Sequence, residues 1–154
     1  MRATARAQPN IALIKYWGKR DIDRNLPAVG SISITLADLQ TEMQVEADAG
    51  LSTDVLLFDG QENAAMLPRV SQCLDAVAGA GRPRVRVSSA SNFPVAAGLA
   101  SSASAFAALT VAANAALECG HEAAQLASLA GRASGSAARS LLGGFVELTN
   151  RDSD

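Results

Sequence analysis

The 154-residue sequence has few aromatic side chains and few residues that commonly bind metals. Aromatic residues make up 4% of the chain, which has two cysteines and one histidine. Because structural zinc sites use four Cys or His ligands, these three residues do not form one, and no metal-binding residue is predicted. Cys73 and Cys119 are expected to be small buried hydrophobes of a cytoplasmic protein, and His121 is expected to be solvated or to cap a helix.

Long runs of one residue type are also missing. The net charge is −2 and no cluster of lysine and arginine stands out, so neither nucleic acid nor a membrane surface is expected as a partner. No apolar run approaches the ~18 residues of a spanning helix, and no signal peptide is recognisable at the start. Hydrophobic residues make up 49% of the chain, which predicts one folded domain with a core of Ala, Val and Leu.

Hydrophobic periodicity predicts an α+β domain with a largely antiparallel sheet and helices packed on it. A strand is expected from about Asn10, and further strands at 30–36, 41–47, 55–58, 84–89 and 145–148. Helices are expected at 65–77, 101–117 and 123–132. The predicted order is four strands, a helix, a strand, two helices and a last strand.

Residues 92–103 join a predicted strand to an Ala-rich helix through a proline, a glycine and two serines. Backbone N–H groups at a helix start lack intrahelical partners, and Gly98 lets an anion approach the backbone closely. The stretch therefore fits a phosphate-binding loop. It also fits an ordinary Ser-capped helix packed in a core, which is what serines at a helix start usually indicate.

Two other segments have the residue types that recognise anions. Lys15 and Lys19 lie on either side of an aromatic pair, which suits a polyanion but also a solvated strand end. Ser134, Gly135 and Ser136 precede Arg139 and can offer hydroxyls, N–H groups and a guanidinium fork to one anion. The alternative for this segment is a flexible polar linker. Arg69 is interpreted as a solvated arginine on a helix.

Together, residues 10–21, 92–103 and 134–140 resemble the diphosphomevalonate decarboxylases of the GHMP kinase superfamily. The resemblance extends from about Pro9 to Leu148; the 15–21 segment is specific to the decarboxylases, whereas the loop from Pro94 to Ser102 is shared by the superfamily. It implies that residues 1–154 form a GHMP kinase N-terminal domain, with the fold of ribosomal protein S5 domain 2. The catalytic aspartate of the family is then expected in a C-terminal domain outside these residues, so that the 154 residues alone are expected to be inactive.

The resemblance also implies a lyase reaction of the mevalonate pathway to isoprenoids. ATP with Mg2+ phosphorylates the 3-hydroxyl of mevalonate 5-diphosphate, and loss of phosphate and CO2 yields isopentenyl diphosphate. Such chemistry rests on positioning and charge neutralisation. The alternatives are a mevalonate or phosphomevalonate kinase that does not decarboxylate, and a non-catalytic binding or dimerisation module; a homodimer is a further expectation.

Matching positions assign roles to individual residues. The implied ligands of the ATP phosphates are Ala97, Gly98, Leu99, Ala100, Ser101 and Ser102. The implied substrate-binding residues are Tyr16, Trp17, Gly18, Lys19, Arg69, Ser134, Gly135, Ser136, Ala137, Ala138 and Arg139. The implied catalytic residues are Lys15, Asn10, Ser102 and Arg139, with Arg139 on the substrate carboxylate, Asn10 orienting it and Lys15 near the transferred phosphoryl group. Ala133 and Ala138 stand where the family usually has Gly and Cys.

Overall fold

The computed structural model describes residues 1–14, 18–22, 26–94 and 101–149, with the backbone alone at 26–27. The strands are β1 (Arg2–Ala7), β2 (Asn10–Ile14), β3 (Lys19–Asp21), β4 (Leu26–Pro27), β5 (Ser31–Thr35), β6 (Thr41–Ala47), β7 (Val55–Phe58), β8 (Gln61–Glu62), β9 (Val85–Ser91) and β10 (Phe145–Leu148). The helices are α1 (Leu67–Ala78), α2 (Ser101–Ala116) and α3 (Ala123–Ala133), and a 3-10 helix spans Ala137–Leu141.

The strands form one large and two small sheets. The large sheet has the order β1-β6-β9-β7-β8, and a second sheet has the order β10-β5-β2. All pairings are antiparallel except that of β7 with β9, which is parallel. The amino ends of β7 and β9 therefore lie side by side, and so do their carboxyl ends.

Helix α2 forms the centre of the core, as its sequence predicts. Ten of its 16 residues are buried, among them Phe106 and Leu109. The helix packs on β1 and β6 and against α1, α3 and the 3-10 helix. Because seven of the ten buried residues are alanine or serine, the backbone of α2 can approach its neighbours closely. This position fixes the first turn of α2 beside the carboxyl end of β9.

The described structure confirms the α+β class and the predicted helices, and it corrects the strand count. Strand β1 was not predicted, because its sequence Arg-Ala-Thr-Ala-Arg-Ala has little β propensity. Its alanines pack against the core while its arginines remain exposed. The flexible-linker interpretation of residues 133–140 is wrong, since the segment contains a 3-10 helix in which Ala137, Arg139 and Ser140 are buried.

Strand β5 turns its serines inward. Ser31 and Ser33 are 2% and 0% exposed, whereas Ile32 and Ile34 are only half-buried. This is the reverse of the usual pattern for a strand with one solvated face. Gly30, just before β5, has space only for hydrogen, because a Cβ there would lie 2.8 Å from the carbonyl oxygen of Leu148.

Cys73 and His121 have structural roles. Cys73 is buried, and burial raises the pKa of its thiol, so it is an inert core residue. His121 is half-buried, and its Nε2 lies 2.7 Å from the carbonyl oxygen of Val77 in the last turn of α1, which is a capping contact.

No group of three or more acidic, His or Cys side chains capable of holding a metal lies within the described ranges. Over the same ranges, none of the helices has the length and apolar character needed to cross a membrane.

Candidate functional site

Arg139 is the buried cation at the centre of the candidate site. It lies on the 3-10 helix and is 3% exposed. Its Nη1 donates a hydrogen bond to Ser31 Oγ at 2.5 Å, and its Nε lies 3.5 Å from Asn10 Oδ1. Ser31 begins β5 and Asn10 begins the adjacent strand β2. The guanidinium is therefore held against the ends of two paired strands, which fixes its orientation.

Asn10 connects Arg139 with both ends of the 3-10 helix. Its Nδ2 donates to the carbonyl oxygen of Ser136 at 2.9 Å and to Ser140 Oγ at 2.7 Å. Because the amide nitrogen faces these two acceptors, its oxygen faces the Arg139 donor. Asn10 is itself 3% exposed. The structure thus brings Asn10 and Arg139 together, 129 residues apart in the chain; their catalytic roles stay predictions.

The predicted ATP segment and the predicted substrate segment meet through two serines. Ser102, in the first turn of α2, has its Oγ 3.5 Å from Ser134 Oγ. Ser134 ends α3 and begins a turn in which the Ala137 N–H donates to the Ser134 carbonyl oxygen at 2.8 Å. We call residues 134–137 the Ser134 turn. Both hydroxyls are half-buried, so a ligand can reach the gap between them.

Arg69 is exposed but is held toward the Ser134 turn. Its Nη2 donates to the carbonyl oxygen of Ala133 at 3.3 Å, at the end of α3. Its guanidinium carbon also lies 4.9 Å from the centroid of the Phe106 ring, a cation–π distance. The sequence interpretation of a merely solvated arginine is therefore wrong, because the side chain is anchored at the site.

A mostly apolar cavity of about 180 Å³ lies beside the first turn of α2. Ser101 and Ser102 line it together with residues of β6, β7, β9 and α1. Its largest apolar walls come from Phe58, Met66, Leu109 and Phe106. The Oγ of Ser89 is buried at this cavity, and no hydrogen-bond partner for it lies within the described ranges. A buried hydroxyl without a partner is costly, which marks this wall as a place where a polar ligand atom can bind.

The structure describes only some of the remaining predicted residues. Lys15, Tyr16 and Trp17 lie outside the described residues, and so do Ala97, Gly98, Leu99 and Ala100. Gly18 has φ +80°, and its carbonyl oxygen accepts from the Ala28 N–H at 3.2 Å. Lys19 is exposed at the start of β3.

Three further predicted residues form the backbone of the Ser134 turn and the helix after it. Gly135 lies in the turn. Ala137 is 0% exposed, and its N–H is the one that donates to the Ser134 carbonyl oxygen. Ala138 is half-buried and faces Gly131 of α3, where a Cβ would lie 3.5 Å from the Ala138 Cβ.

Three serines of the site were not predicted from the sequence. Ser31 and Ser140 bind Arg139 and Asn10, and Ser89 supplies the unpaired hydroxyl. The serines of β5 alternate with isoleucines and so share one face, and in β9 Ser89 shares a face with Ser91 but not with its neighbour Ser88. The sequence does not show that these faces are the buried ones, since serine is normally exposed.

A second buried arginine lies at the other end of the large sheet. Arg82 is 7% exposed and donates from Nη1 and Nη2 to the two oxygens of Asp54, at 2.9 and 2.6 Å. Its Nε lies 2.9 Å from Asp75 Oδ1 of α1. Burial alone would raise the pKa of Asp54, but hydrogen bonds from Arg82, Ser71 and the Val85 N–H, with the arginine charge, lower it to about 2. This cluster is a structural ion pair.

Comparison with known proteins identifies the domain. The family model of the diphosphomevalonate decarboxylase-like N-terminal domain matches residues 7–154. The chain belongs to this family. It is 39% identical to the diphosphomevalonate decarboxylase of Candida albicans and 40% identical to that of Homo sapiens. Each match covers 94% of this chain but 44% and 40% of the relative, so the chain spans less than half the length of these curated relatives.

Solved structures of the same family have the same fold. A mevalonate diphosphate decarboxylase from Staphylococcus aureus superposes with a TM-score of 0.89 at 42% identity, over 96% of this chain and 46% of that chain. A structure of MDDEF in complex with MVAPP, AMPPCP and magnesium superposes with a TM-score of 0.88 at 42% identity, over 97% of this chain and 46% of that one. The likeness confirms the predicted GHMP-type N-terminal fold.

Proposed function

We propose that the protein carrying this domain decarboxylates mevalonate 5-diphosphate at the expense of ATP, releasing isopentenyl diphosphate, ADP, phosphate and CO2. The observation that carries the proposal is the buried guanidinium of Arg139, fixed by Asn10 and Ser31 beside the Ser102–Ser134 contact. Membership of the family and the likeness to a complex with MVAPP and AMPPCP support it. This domain would bind substrate and the phosphates of ATP.

Arg139 would bind the carboxylate that leaves as CO2. A guanidinium can meet a carboxylate through two parallel N–H···O bonds. Because its packing and its bonds to Asn10 and Ser31 already fix the side chain, little entropy is lost when substrate binds. Its role would be to orient the carboxylate for cleavage of the bond to C2.

The Ser134 turn would bind the 5-diphosphate of the substrate. The hydroxyls of Ser134 and Ser136 and the backbone N–H groups of Gly135 and Ser136 are donors that suit phosphate oxygens. Arg69 contributes positive charge at the same place, since it is anchored on the Ala133 carbonyl. Lys19, Tyr16, Trp17 and Gly18 are proposed as further ligands of this group.

The ATP phosphates would bind at the start of α2. The first N–H groups of a helix have no intrahelical partner and attract anions, and Ser101 and Ser102 add hydroxyls there. The adjoining cavity, with apolar walls and the unpaired hydroxyl of Ser89, fits a nucleotide base. When bound, ATP supplies the phosphoryl group that turns the tertiary 3-hydroxyl into a good leaving group, with Lys15 near that group.

The described residues fit a magnesium ion that is held mainly by the ATP phosphates. They contain no cluster of three or more acidic, His or Cys side chains. Mg2+ commonly keeps several waters and binds through substrate phosphates with one or two carboxylates, so a dedicated protein cage is not required. Ser102, whose hydroxyl lies beside the phosphate-binding turn, would orient the phosphoryl chain.

A titration tests the binding part of this proposal. The protein is titrated calorimetrically with mevalonate 5-diphosphate, as wild type, as a Ser134→Ala/Ser136→Ala variant and as Ser52→Ala, an exposed control far from the site in sequence. The double variant should bind roughly tenfold more weakly, because two donors to phosphate are lost, and the control should be unchanged. Failure of the wild type to bind either this substrate or ATP would favour a non-catalytic module.

Two further properties remain proposals for separate tests. A homodimer would give twice the mass of one chain in analytical ultracentrifugation. A cytoplasmic location would put the protein in the soluble fraction of lysed cells, away from the membrane pellet.

A further inference from the structure

A second cavity lies between α1 and α3, and its lining is positively charged. The cavity measures about 180 Å³. Arg69 and Arg132 line it with Gln72 of α1, and the other lining residues are uncharged. Two guanidinium groups and an amide supply many hydrogen-bond donors, whereas no lining residue carries a negative charge. The chemistry of the wall therefore selects a small anion with several acceptor oxygens.

The cavity adjoins the candidate substrate site through shared residues. Arg69 lines the cavity and donates to the Ala133 carbonyl, and Ala133 also lines it. The next residue, Ser134, begins the Ser134 turn and contacts Ser102. An anion bound at the Ser134 turn can thus extend along the Arg69 side chain into the cavity and stay within reach of hydrogen-bond donors.

Arg132 faces the same cavity from the last turn of α3. It is exposed, and no ion pair in the described part of the chain neutralises it. Helix C-terminal carbonyls attract cations, but an exposed arginine such as Arg132 gains little from them. The two arginines come from different helices, so their approach depends on the packing of α1 against α3.

We propose that Arg132 determines specificity, holding with Arg69 the terminal phosphate of the substrate's 5-diphosphate. This inference rests on the proposed function, since it concerns the same substrate. A 5-monophosphate would engage the Ser134 turn but would not reach between the two arginines. The terminal phosphate carries extra negative charge and oxygen acceptors, and bidentate contacts to guanidinium groups are strong. The protein would therefore prefer mevalonate 5-diphosphate over mevalonate 5-phosphate.

The test compares ligands that differ by one phosphate. Calorimetric dissociation constants are measured for mevalonate 5-diphosphate, mevalonate 5-phosphate, inorganic pyrophosphate and inorganic phosphate. The proteins are wild type, Arg132→Gln, Arg132→Lys, and Arg84→Gln as an exposed control arginine outside this cavity. Arg132→Gln should weaken mevalonate 5-diphosphate, pyrophosphate and inorganic phosphate, which can enter the cavity directly, roughly tenfold, because one charge-assisted contact is lost. It should weaken mevalonate 5-phosphate little, because the phosphate of that ligand stays at the Ser134 turn. Arg132→Lys should recover part of the loss, and Arg84→Gln should change nothing.

Each outcome decides between the two proposals. Equal weakening of mevalonate 5-phosphate and mevalonate 5-diphosphate by Arg132→Gln, or no weakening of either, would overturn the role of Arg132 while the proposed function stands. Absence of pyrophosphate binding by the wild type would likewise overturn the subsite. The wild type could also bind pyrophosphate, lose that binding on Arg132→Gln, and bind neither mevalonate phosphate. The anion subsite would then stand, but the proposed substrate and the specificity role of Arg132 would be wrong.

Discussion

Arg82 and Arg139 are both almost fully buried, yet they belong to different kinds of surroundings. Arg82 is held by the carboxylates of Asp54 and Asp75. Arg139 is held by the amide oxygen of Asn10 and the hydroxyl of Ser31. Carboxylates neutralise the charge of a guanidinium, whereas amide and hydroxyl groups orient it. The contacts of Arg82 are those of a structural cross-link, and the contacts of Arg139 with Asn10 and Ser31 fix the direction of its guanidinium.

The fold also separates the Arg82 ion pair from the cavity beside α2. Asp54 precedes β7 and Arg82 precedes β9, so the ion pair lies at the amino ends of these two parallel strands. Ser89 is near the carboxyl end of β9, where the first turn of α2 lines the same cavity. The ion pair and the candidate cavity thus lie at opposite ends of one strand pair, and burial of an arginine does not by itself identify a site.

The largest expected effect is on the structural pair. Asp54→Asn leaves the Arg82 charge buried with Asp75 as its remaining carboxylate, so the free energy of unfolding should fall by about 3 kcal/mol. Asp48→Asn is the matched control, because Asp48 meets Arg86 at 3.7 Å on the surface. The control should lose less than about 1 kcal/mol. Urea denaturation measures both, and similar losses would contradict the structural role of the buried pair.

The second prediction exchanges the two arginines for lysine. In the full-length gene product, Arg139→Lys should lower kcat/KM by roughly 100-fold, because lysine cannot form the bidentate contact, while the Kd for ATP stays within about twofold. Arg82→Lys should instead lower the urea midpoint and leave kcat/KM of the folded enzyme unchanged.

Steady-state kinetics combined with urea denaturation separate the two variants. If Arg82→Lys damaged turnover as much as Arg139→Lys in fully folded protein, the assignment of Arg82 to stability and of Arg139 to the reaction would be wrong. Equal damage to ATP binding and to turnover by Arg139→Lys would reject its assignment to the substrate carboxylate.

A smaller effect is expected on acidification. The pKa of Asp54 is lowered from 3.8 to about 2 in the folded state, so the unfolded chain takes up this proton first as the pH falls. The contribution of Asp54 is therefore complete above about pH 4 and is lost between about pH 4 and pH 2, amounting to about 2 kcal/mol. Denaturation at a series of pH values should show this fall, and Asp54→Asn should remove it. An unchanged pH profile in the variant would contradict the lowered pKa.

The smallest effect is expected at the surface pair of Arg6 and Glu42, which are 2.7 Å apart. Both side chains are exposed, so water and salt screen their attraction. Glu42→Gln should change the free energy of unfolding by less than about 1 kcal/mol, and by less still at 1 M salt. A loss comparable with that of Asp54→Asn would show that burial does not set the strength of these pairs.

Much of the fold could be predicted from local sequence patterns. Strand β6 and helix α2 have uninterrupted periodicity or composition, and both were predicted close to their observed bounds. Strand β1 was missed because alanine and arginine carry little β preference, and it forms through pairing with β6. The parallel pairing of β7 with β9 and the contact of Arg82 with Asp54 depend on tertiary packing, which no local pattern contains.

The candidate site was predictable only in part. The Ser134 turn and Arg139 are recognisable as anion-binding residue types, and the family resemblance joins them to Asn10. Ser31 could not be predicted, because a serine in an alternating strand normally faces solvent while its isoleucine neighbours face the core. Arg69 was misjudged for a similar reason, since its anchors, Ala133 and Phe106, lie on other helices.

The most direct test of the proposed activity is product analysis with the full-length gene product. The protein is incubated with Mg2+, ATP and mevalonate 5-diphosphate labelled at the carboxyl carbon, and labelled CO2, ADP and isopentenyl diphosphate are quantified. One CO2 and one isopentenyl diphosphate are expected for each ADP formed. ADP formed with a phosphorylated substrate and no CO2 would identify a kinase and contradict the proposed decarboxylase activity.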